Sequence, residues 1–415
     1  MTRTVKEIQE KLDSNEAIVL TAQELKTKLR EGEEVTLDDV DVVTCGTSGV
    51  MSGTTALLHI PVSDPGLFNK ASEVFLNGIP AYPGPCPNEL LGSVDVILYG
   101  TNHSQTIDDY GGGFLLKDLI NSKEIDVKVI DNEGNEFNAK VTLDDLQTAR
   151  IIGTRMAFMN YNSFTNPDKR AQKSIFNVEA MEGPYNSYSF SGCGDINPLA
   201  NDPEQKIIKA GTKVLLNGAQ GVIIDNGTRS TSQKPNLMLT ANIKDMNPYY
   251  IGGFKTSMGP EIFNSVAIPI PVLNDEILEN LKVLNDDITL PVCDIHGRHL
   301  PIDDVDYTVW DNVDYRPKTD PEKCFNCIPC LPEIYCPVNA YAKDKTIDAE
   351  LCVGCGYCSY VCPRGVPDIE LGNIEITVDN KKKIIPVTCR QSDKKRAIEI
   401  SEELKEALLD GSFKL

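Results

Sequence analysis

The chain has 415 residues, 41% of them hydrophobic, and 61 acidic side chains against 40 basic ones give a formal net charge of −21. That length supports two or three domains around a substantial core, and the acidic balance excludes a nucleic-acid surface, which needs a basic footprint. No apolar run reaches the roughly 18 residues of a membrane span, and the opening MTRTVKEIQEKLDSNEAIV lacks the apolar core of a secretory signal, so a cytoplasmic location is expected.

Two helices are expected first. Thr4 with Glu7 and Thr21 with Glu24 form capping-box pairs, and Gly32 closes the second helix. VDVVTCGTSGVMSGTT then begins as a buried strand and passes into Gly, Ser and Thr. Such a run puts backbone donors and hydroxyls close to any bound anion. EVFLNGIPAYPGPCPNEL reads as a strand and a Pro-rich turn, and VDVILYG as another strand. Gly111, Gly112 and Gly113 precede an apolar helix, either as a tight turn or as a seat for a carboxylate or phosphate. The run matches neither the Walker loop nor the dinucleotide fingerprint. IDVKVIDNEGNEFNAKVTLDDLQTAR gives two alternating strands around a turn, then a Thr142–Asp145 helix cap.

SEVFLNG at 72–78 and TKVLLNG at 212–218 echo one another, each ending in an Asn-Gly turn. Two related half-domains facing one pocket would produce this, and so would chance likeness between two hairpins.

Thirteen cysteines, mostly in tight spacings, fit metal ligation in a reducing compartment better than a disulfide framework. Cys324, Cys327, Cys330 and Cys336 are spaced C-x2-C-x2-C-x5-C, and Cys352, Cys355, Cys358 and Cys362 are spaced C-x2-C-x2-C-x3-C; a proline follows each run. The second is the bacterial ferredoxin spacing, in which the fourth cysteine ligates the other cluster. Two [4Fe–4S] clusters are therefore expected. One would be held by Cys324, Cys327, Cys330 and Cys362, the other by Cys352, Cys355, Cys358 and Cys336. Two zinc ions are the rival reading. The intervening VNAYAKDKTIDAELCVG reads as a helix, a turn and a short strand.

The fold class expected is a large α/β or α+β N-terminal domain, possibly internally duplicated, with a C-terminal two-cluster ferredoxin-like α+β domain. Residues 1–310 form the first and 324–372 the second. An aromatic linker covers 311–323; with Tyr307, Trp310 and Tyr315 buried nearby, it should dock the two instead of leaving them free. Residues 373–415 read as a hairpin around Asp379-Asn380 and a terminal helix closed by Gly411; Cys389 there reads as a partly buried thiol.

Candidate chemistry outside the eight cysteines is sparser. Cys45 in TCGTSG and Cys193 in SGCGD have glycine neighbours and are candidate reactive thiols, with Cys86 in PGPCPN behind them; a small buried side chain is the alternative for each. His103 follows an apparent strand and is a candidate general acid, whereas His59 reads as structural. Cys293, His296 and His299 stand three apart, but Pro291 and Gly297 oppose the helix that would align them on a metal. Arg155, Arg170, Arg229 and Lys255 are candidates to clamp a substrate carboxylate, with Arg229 in DNGTRSTSQKPN the best placed.

DVVTCGTSGVMSG, the two Asn-Gly hairpins, GIPAYPG and IPIPVLNDEILENL resemble the homocysteine-biosynthesis family over roughly residues 5 to 310. With the cysteine unit appended, the chain is similar to the methanogenesis-marker branch of that family. The resemblance implies sulfur chemistry, since a characterised branch makes homocysteine from aspartate semialdehyde with reduced sulfur and ferredoxin-type electrons. That branch carries a persulfide cysteine in a Met-Cys-Ser-Ser-Gly run. The corresponding text here is Met51-Ser52-Gly53, so Ser52 stands at the cysteine position and marks the substrate site.

Three classes stay open: a redox-coupled sulfur transferase, an oxidoreductase with a changed substrate, and an electron-delivery or assembly factor for another metalloenzyme. The expected partners are an electron donor or acceptor protein and a small molecule.

Overall fold

The computed structural model describes residues 2–84, 89–157 and 162–415. It is a mixed α/β protein dominated by sheet. Both opening helices form, Val5–Asp13 and Ala22–Arg30, and both capping boxes are made. Thr4 Oγ1 accepts from the Glu7 N–H at 3.2 Å, and Thr21 Oγ1 from the Glu24 N–H at 3.1 Å.

Among the described residues, fourteen strands build the main sheet. The Val42–Val50 strand is buried at every position. It pairs in parallel with Val19–Thr21 and antiparallel with Gly259–Pro271. Burial on both faces explains why its text reads as a continuous run without alternation. Thr54–Pro61 leaves it at Ser52-Gly53 and pairs with Ser93–Tyr99 and Thr148–Met156, showing the alternating burial of a half-covered strand. Both echoing hairpins belong to this sheet, and their turns match. Asn77 and Gly78 have φ of 47° and 75°, and Asn217 and Gly218 have 53° and 83°. Two successive left-handed residues are what a two-residue hairpin demands, and Asn-Gly supplies them at low cost.

The glycine run has a different use from the anion site expected of it. A Cβ on Gly46 would lie 2.0 Å from the Ala397 carbonyl oxygen and one on Gly49 would lie 2.8 Å from that of Gln391. These glycines admit the C-terminal segment, whose helix Lys394–Leu409 packs on the strand. Gly112 and Gly113 similarly admit the backbone of Tyr99 and Gly252 at 2.5 and 2.6 Å from a Cβ. Close packing, not ligand binding, selects glycine at all four positions.

A second, six-stranded sheet crosses the chain's segments. Its order is Pro301–Asp306, Thr289–Asp294, Ser163–Thr165, Tyr188–Phe190, Lys381–Arg390 and Asn373–Val378. The strands following the cysteines thus complete a sheet begun far upstream, and the ferredoxin-like unit is held at both ends. Of the aromatic residues before it, Tyr307 and Trp310 are buried and Tyr315 is half-buried. Trp310 donates to the Gly192 carbonyl at 2.9 Å and Tyr307 to that of Ser191 at 3.0 Å, and Trp310 meets Phe190 edge-on at 5.3 Å. The helix read in VNAYAKDK is absent. Asn339 and Lys345 have positive φ, and a Tyr341–Ile347 bridge forms there. The helices of this unit are Leu331–Ile334 and Tyr357–Val361, each beside cysteines. No helix among the described residues is long and apolar enough to cross a membrane.

One buried cation supports the junction of helix and sheet. Lys26 is fully buried, with Nζ donating to Asn201 Oδ1 at 2.9 Å and to the Leu281 carbonyl. Burial lowers its pKa to about 8, with Asp195 opposing. Between about 8 and the unfolded value near 10.4, the unfolded chain binds more protons at this site, so its contribution to stability rises with pH. Urea unfolding of Lys26→Met should therefore show the wild type gaining on the variant from pH 8 to pH 10. A gap that stays constant or narrows would refute the assignment.

Candidate functional site

Ser52 sits at the turn between two core strands, where the backbone must leave the sheet. It is exposed, and it lines a cavity of about 490 Å3. Arg155 comes from the end of the Thr148–Met156 strand, Arg229 and Lys234 from the loop after Ala219–Asn226, and Arg298 and His299 from the turn after Thr289–Asp294. Asn162 ties two of these loops, accepting from Lys234 Nζ at 2.9 Å and donating to the Arg298 carbonyl at 2.9 Å. Phe164 and Phe176 stack at 4.1 Å on one wall, and the Arg298 guanidinium lies 5.6 Å from the centre of the Phe176 ring. Behind Ser52 stands Glu261, 6% exposed. One carboxyl oxygen has no partner. Burial raises its pKa, and a hydrogen bond with Ser52 only partly offsets this.

Of the carboxylate clamps expected from sequence, Arg155 and Arg229 reach the cavity. Arg170 does not line it, and Lys255 is engaged elsewhere, its Nζ 3.3 Å from the Ile334 carbonyl. Lys234, Arg298 and Gln391 were not foreseen. Cys293, His296 and His299 do not converge: Cys293 is buried, His296 is exposed, and only His299 lines the cavity. His59 binds Asp95 at 2.7 Å, a structural pair.

The candidate reactive thiols are enclosed by their surroundings. Cys45 and Cys193 are fully buried and neither lines the cavity. Burial pushes Cys45 up to about 12 and Cys193 up to about 11. Glycine neighbours suggested accessibility, but those glycines admit protein, so both sulfurs are enclosed. His103 is exposed, packs over Gly259 and is also outside the cavity lining. Cys86 lies outside the described residues.

The eight clustered cysteines fall into two groups. Cys324, Cys327, Cys330 and Cys362 line one apolar cavity of about 240 Å3. Cys336, Cys352, Cys355 and Cys358 are all buried and mutually close enough to act on one another electrostatically. Cys336 Sγ accepts from the Ala340 N–H at 3.1 Å and Cys352 Sγ from the Gly354 N–H at 3.4 Å. Thiolate donors with N–H···S bonds suit iron–sulfur ligation. Among the described residues, no three His, Cys, Asp or Glu side chains converge tightly enough to hold a single metal ion.

The buried group adjoins the Ser52 cavity. Cys336, Cys352, Cys355 and Cys358 share a core cluster with Val50, Phe254, Phe263 and Cys389. Arg390 N–H donates to the Cys355 carbonyl at 2.9 Å, and the next residue, Gln391, lines the cavity and accepts from Val50 N–H at 3.0 Å. One hydrogen bond and one peptide unit thus connect Cys355 to the cavity wall. Cys389, expected as a buried thiol, is fully buried here.

These features define a mixed α/β protein with a ferredoxin-like unit docked against a cationic cavity. The chain belongs to the homocysteine biosynthesis enzyme, sulfur-incorporation family, whose model matches residues 17–415. It is 50% identical over 414 residues to an uncharacterized protein of Methanothermobacter thermautotrophicus, covering 100% of this chain and 94% of the relative. It is 34% identical over 310 residues to the L-aspartate semialdehyde sulfurtransferase of Methanocaldococcus jannaschii, covering 70% of this chain and 58% of that enzyme. The cysteine unit is 37% identical over 49 residues to pyruvate synthase subunit PorD of Methanothermobacter marburgensis, covering 12% of this chain and 58% of that subunit. No solved structure matches.

Proposed function

We propose that this protein incorporates sulfur into a small carbonyl compound bound in the Ser52 cavity, with electrons drawn from two [4Fe–4S] clusters that a redox partner charges. The observation that carries the reading is the link from Cys355 through Arg390 to Gln391 in the cavity wall. Family membership supports the sulfur chemistry, and likeness to named sulfurtransferases supports the reaction type.

Converting a carbonyl and hydrogen sulfide to a thiol consumes two electrons and two protons and releases water. When bound, each cluster supplies single electrons; Cys324, Cys327, Cys330 and Cys362 would hold the outer one, and Cys336, Cys352, Cys355 and Cys358 the inner one. The outer group includes the exposed Cys327 beside Phe325 and Ile328, which are 68% and 99% exposed, a face open to a partner. The chain's own residues do the rest. Arg229 and Arg155 hold the substrate's anionic group. Ser52 Oγ donates to the carbonyl oxygen, and Glu261, whose pKa burial raises, is the carboxyl placed behind Ser52 to return a proton to it. Since Cys45 and Cys193 are enclosed away from the cavity, sulfur arrives as free sulfide or on an external carrier.

The test uses anaerobic holoprotein, a chemical reductant, sulfide and a panel of small anionic aldehydes, with alkylated thiol products read by mass spectrometry. Thiol formation is expected. Glu261→Gln should slow it by about 100-fold, in the range of a lost general acid, while Cys45→Ser and Cys193→Ser retain it. Absence of thiol product from fully iron-loaded protein would sink the reading.

A further inference from the structure

The Ser52 cavity carries four cationic side chains, Arg155, Arg229, Lys234 and Arg298, and among the described residues no Asp or Glu lines it. This is unexpected in a chain of net charge −21, where acidic residues outnumber basic ones by 61 to 40. Cations gathered in one concavity raise the local concentration of anions and repel other cations. Glu261 stands behind Ser52, is 6% exposed and is not among the lining residues.

An amino acid substrate makes two demands on such a site. Its carboxylate needs a cation, which is present. Its ammonium needs a carboxylate or a ring of carbonyls, and here it would face four cations instead. The arginines also suit planar, bidentate capture of oxyanions, and the Arg298 guanidinium is already held against the Phe176 ring. The cavity's 490 Å3 leaves room for more than one anionic group.

We infer that the substrate of this site is a small carbonyl compound recognised through oxyanion groups, and that it carries no ammonium group. This rests on the sulfur-incorporation reading for the word substrate, but the selectivity belongs to the cavity itself. It separates this chain from relatives such as the sulfurtransferase named above, whose name gives its substrate as L-aspartate semialdehyde, an amino acid.

The cleanest probes are succinate and aspartate, which differ by one ammonium, together with inorganic phosphate. Isothermal titration calorimetry on iron-loaded, anaerobic protein at low ionic strength should show succinate binding at least tenfold more tightly than aspartate. Phosphate should compete with succinate, and added salt should weaken both. Arg229→Ala and Arg298→Ala should each weaken succinate at least tenfold with the iron–sulfur spectrum unchanged. Arg170→Ala, outside the cavity, should leave binding as it was. Aspartate binding equal to or tighter than succinate would overturn the inference. So would the failure of succinate and phosphate to bind, or binding indifferent to both cavity arginines. The outcome is separable from the sulfur reading. Protein that selects succinate but forms thiol from no carbonyl compound refutes the proposed reaction alone. Protein that forms thiol from an amino aldehyde without discriminating between succinate and aspartate refutes the substrate class alone.

Discussion

Replacing Cys355 by serine is expected to remove the inner group's iron and to destabilise the whole chain, whereas Cys327→Ser should lose iron from the outer group and leave the larger domain intact. The two cysteines occupy opposite surroundings. Cys327 is exposed at the rim, beside the exposed Phe325 and Ile328. Cys355 is 7% exposed and lies in the core cluster that also contains Val50, Phe254 and Phe263. Its carbonyl anchors Arg390, the last residue of a strand of the six-stranded sheet. Ligation that orders the cysteines also contributes to folding, so losing it opens an apolar seam between the ferredoxin-like unit and the sheet bearing Ser52. Intact protein should contain eight irons and eight acid-labile sulfides per chain, the stoichiometry of two [4Fe–4S] clusters. Each variant should retain roughly half, but only Cys355→Ser should unfold at markedly lower urea concentration. Equal stability of the two variants would refute the structural role of the inner group, and stoichiometric zinc in the intact protein would refute both clusters.

Local chemistry made part of this molecule readable from its text. Capping boxes at Thr4 and Thr21 and the Asn-Gly turns at 77 and 217 depend on neighbours a few residues away, and they form as expected. Cysteine spacing is equally local. The cavity is not. Arg155, Arg229, Lys234 and Arg298 come from separate loops and share no pattern, so only Arg155 and Arg229 could be suspected, by residue type. Ser52 was marked by resemblance to a family and by nothing in its own neighbourhood. Gln391 had a faint signal in its closeness to the isolated Cys389, but its contact with Val50 required the fold. The enclosure of the thiols at 45 and 193 was not legible, for one physical reason. A glycine next to a cysteine leaves space, and sequence does not say whether ligand or protein fills it. At Gly46 and Gly49 the C-terminal segment fills it.

That filling makes Gly46 a position where one methyl group should do severe damage. Gly46→Ala would put Cβ 2.0 Å from the Ala397 carbonyl oxygen and 2.3 Å from Ser401 Oγ. The serine can rotate away; the carbonyl cannot, because it belongs to the backbone of the Lys394–Leu409 helix. Nor can the strand retreat easily. Thr44 and Ala267-paired Gly46 lie in a ladder with Gly259–Pro271 that runs from Val42 to Val50. The helix must lift, and with it Ile400 and Leu404, both 0% exposed. Overpacking of this kind costs typically 1–3 kcal/mol and more where backbone opposes it, so about 3 kcal/mol or more is expected in urea unfolding. Gly134→Ala is the matched control. No heavy atom lies within 4 Å of its Cβ, and its φ of +88° makes the cost purely conformational, expected near 1 kcal/mol. The strand shifted by Gly46→Ala ends two residues before Ser52. Succinate binding should therefore weaken in Gly46→Ala and persist in Gly134→Ala. If both variants lost the same stability and both bound succinate normally, the contact between the terminal helix and the glycine-rich strand would not be what positions the cavity.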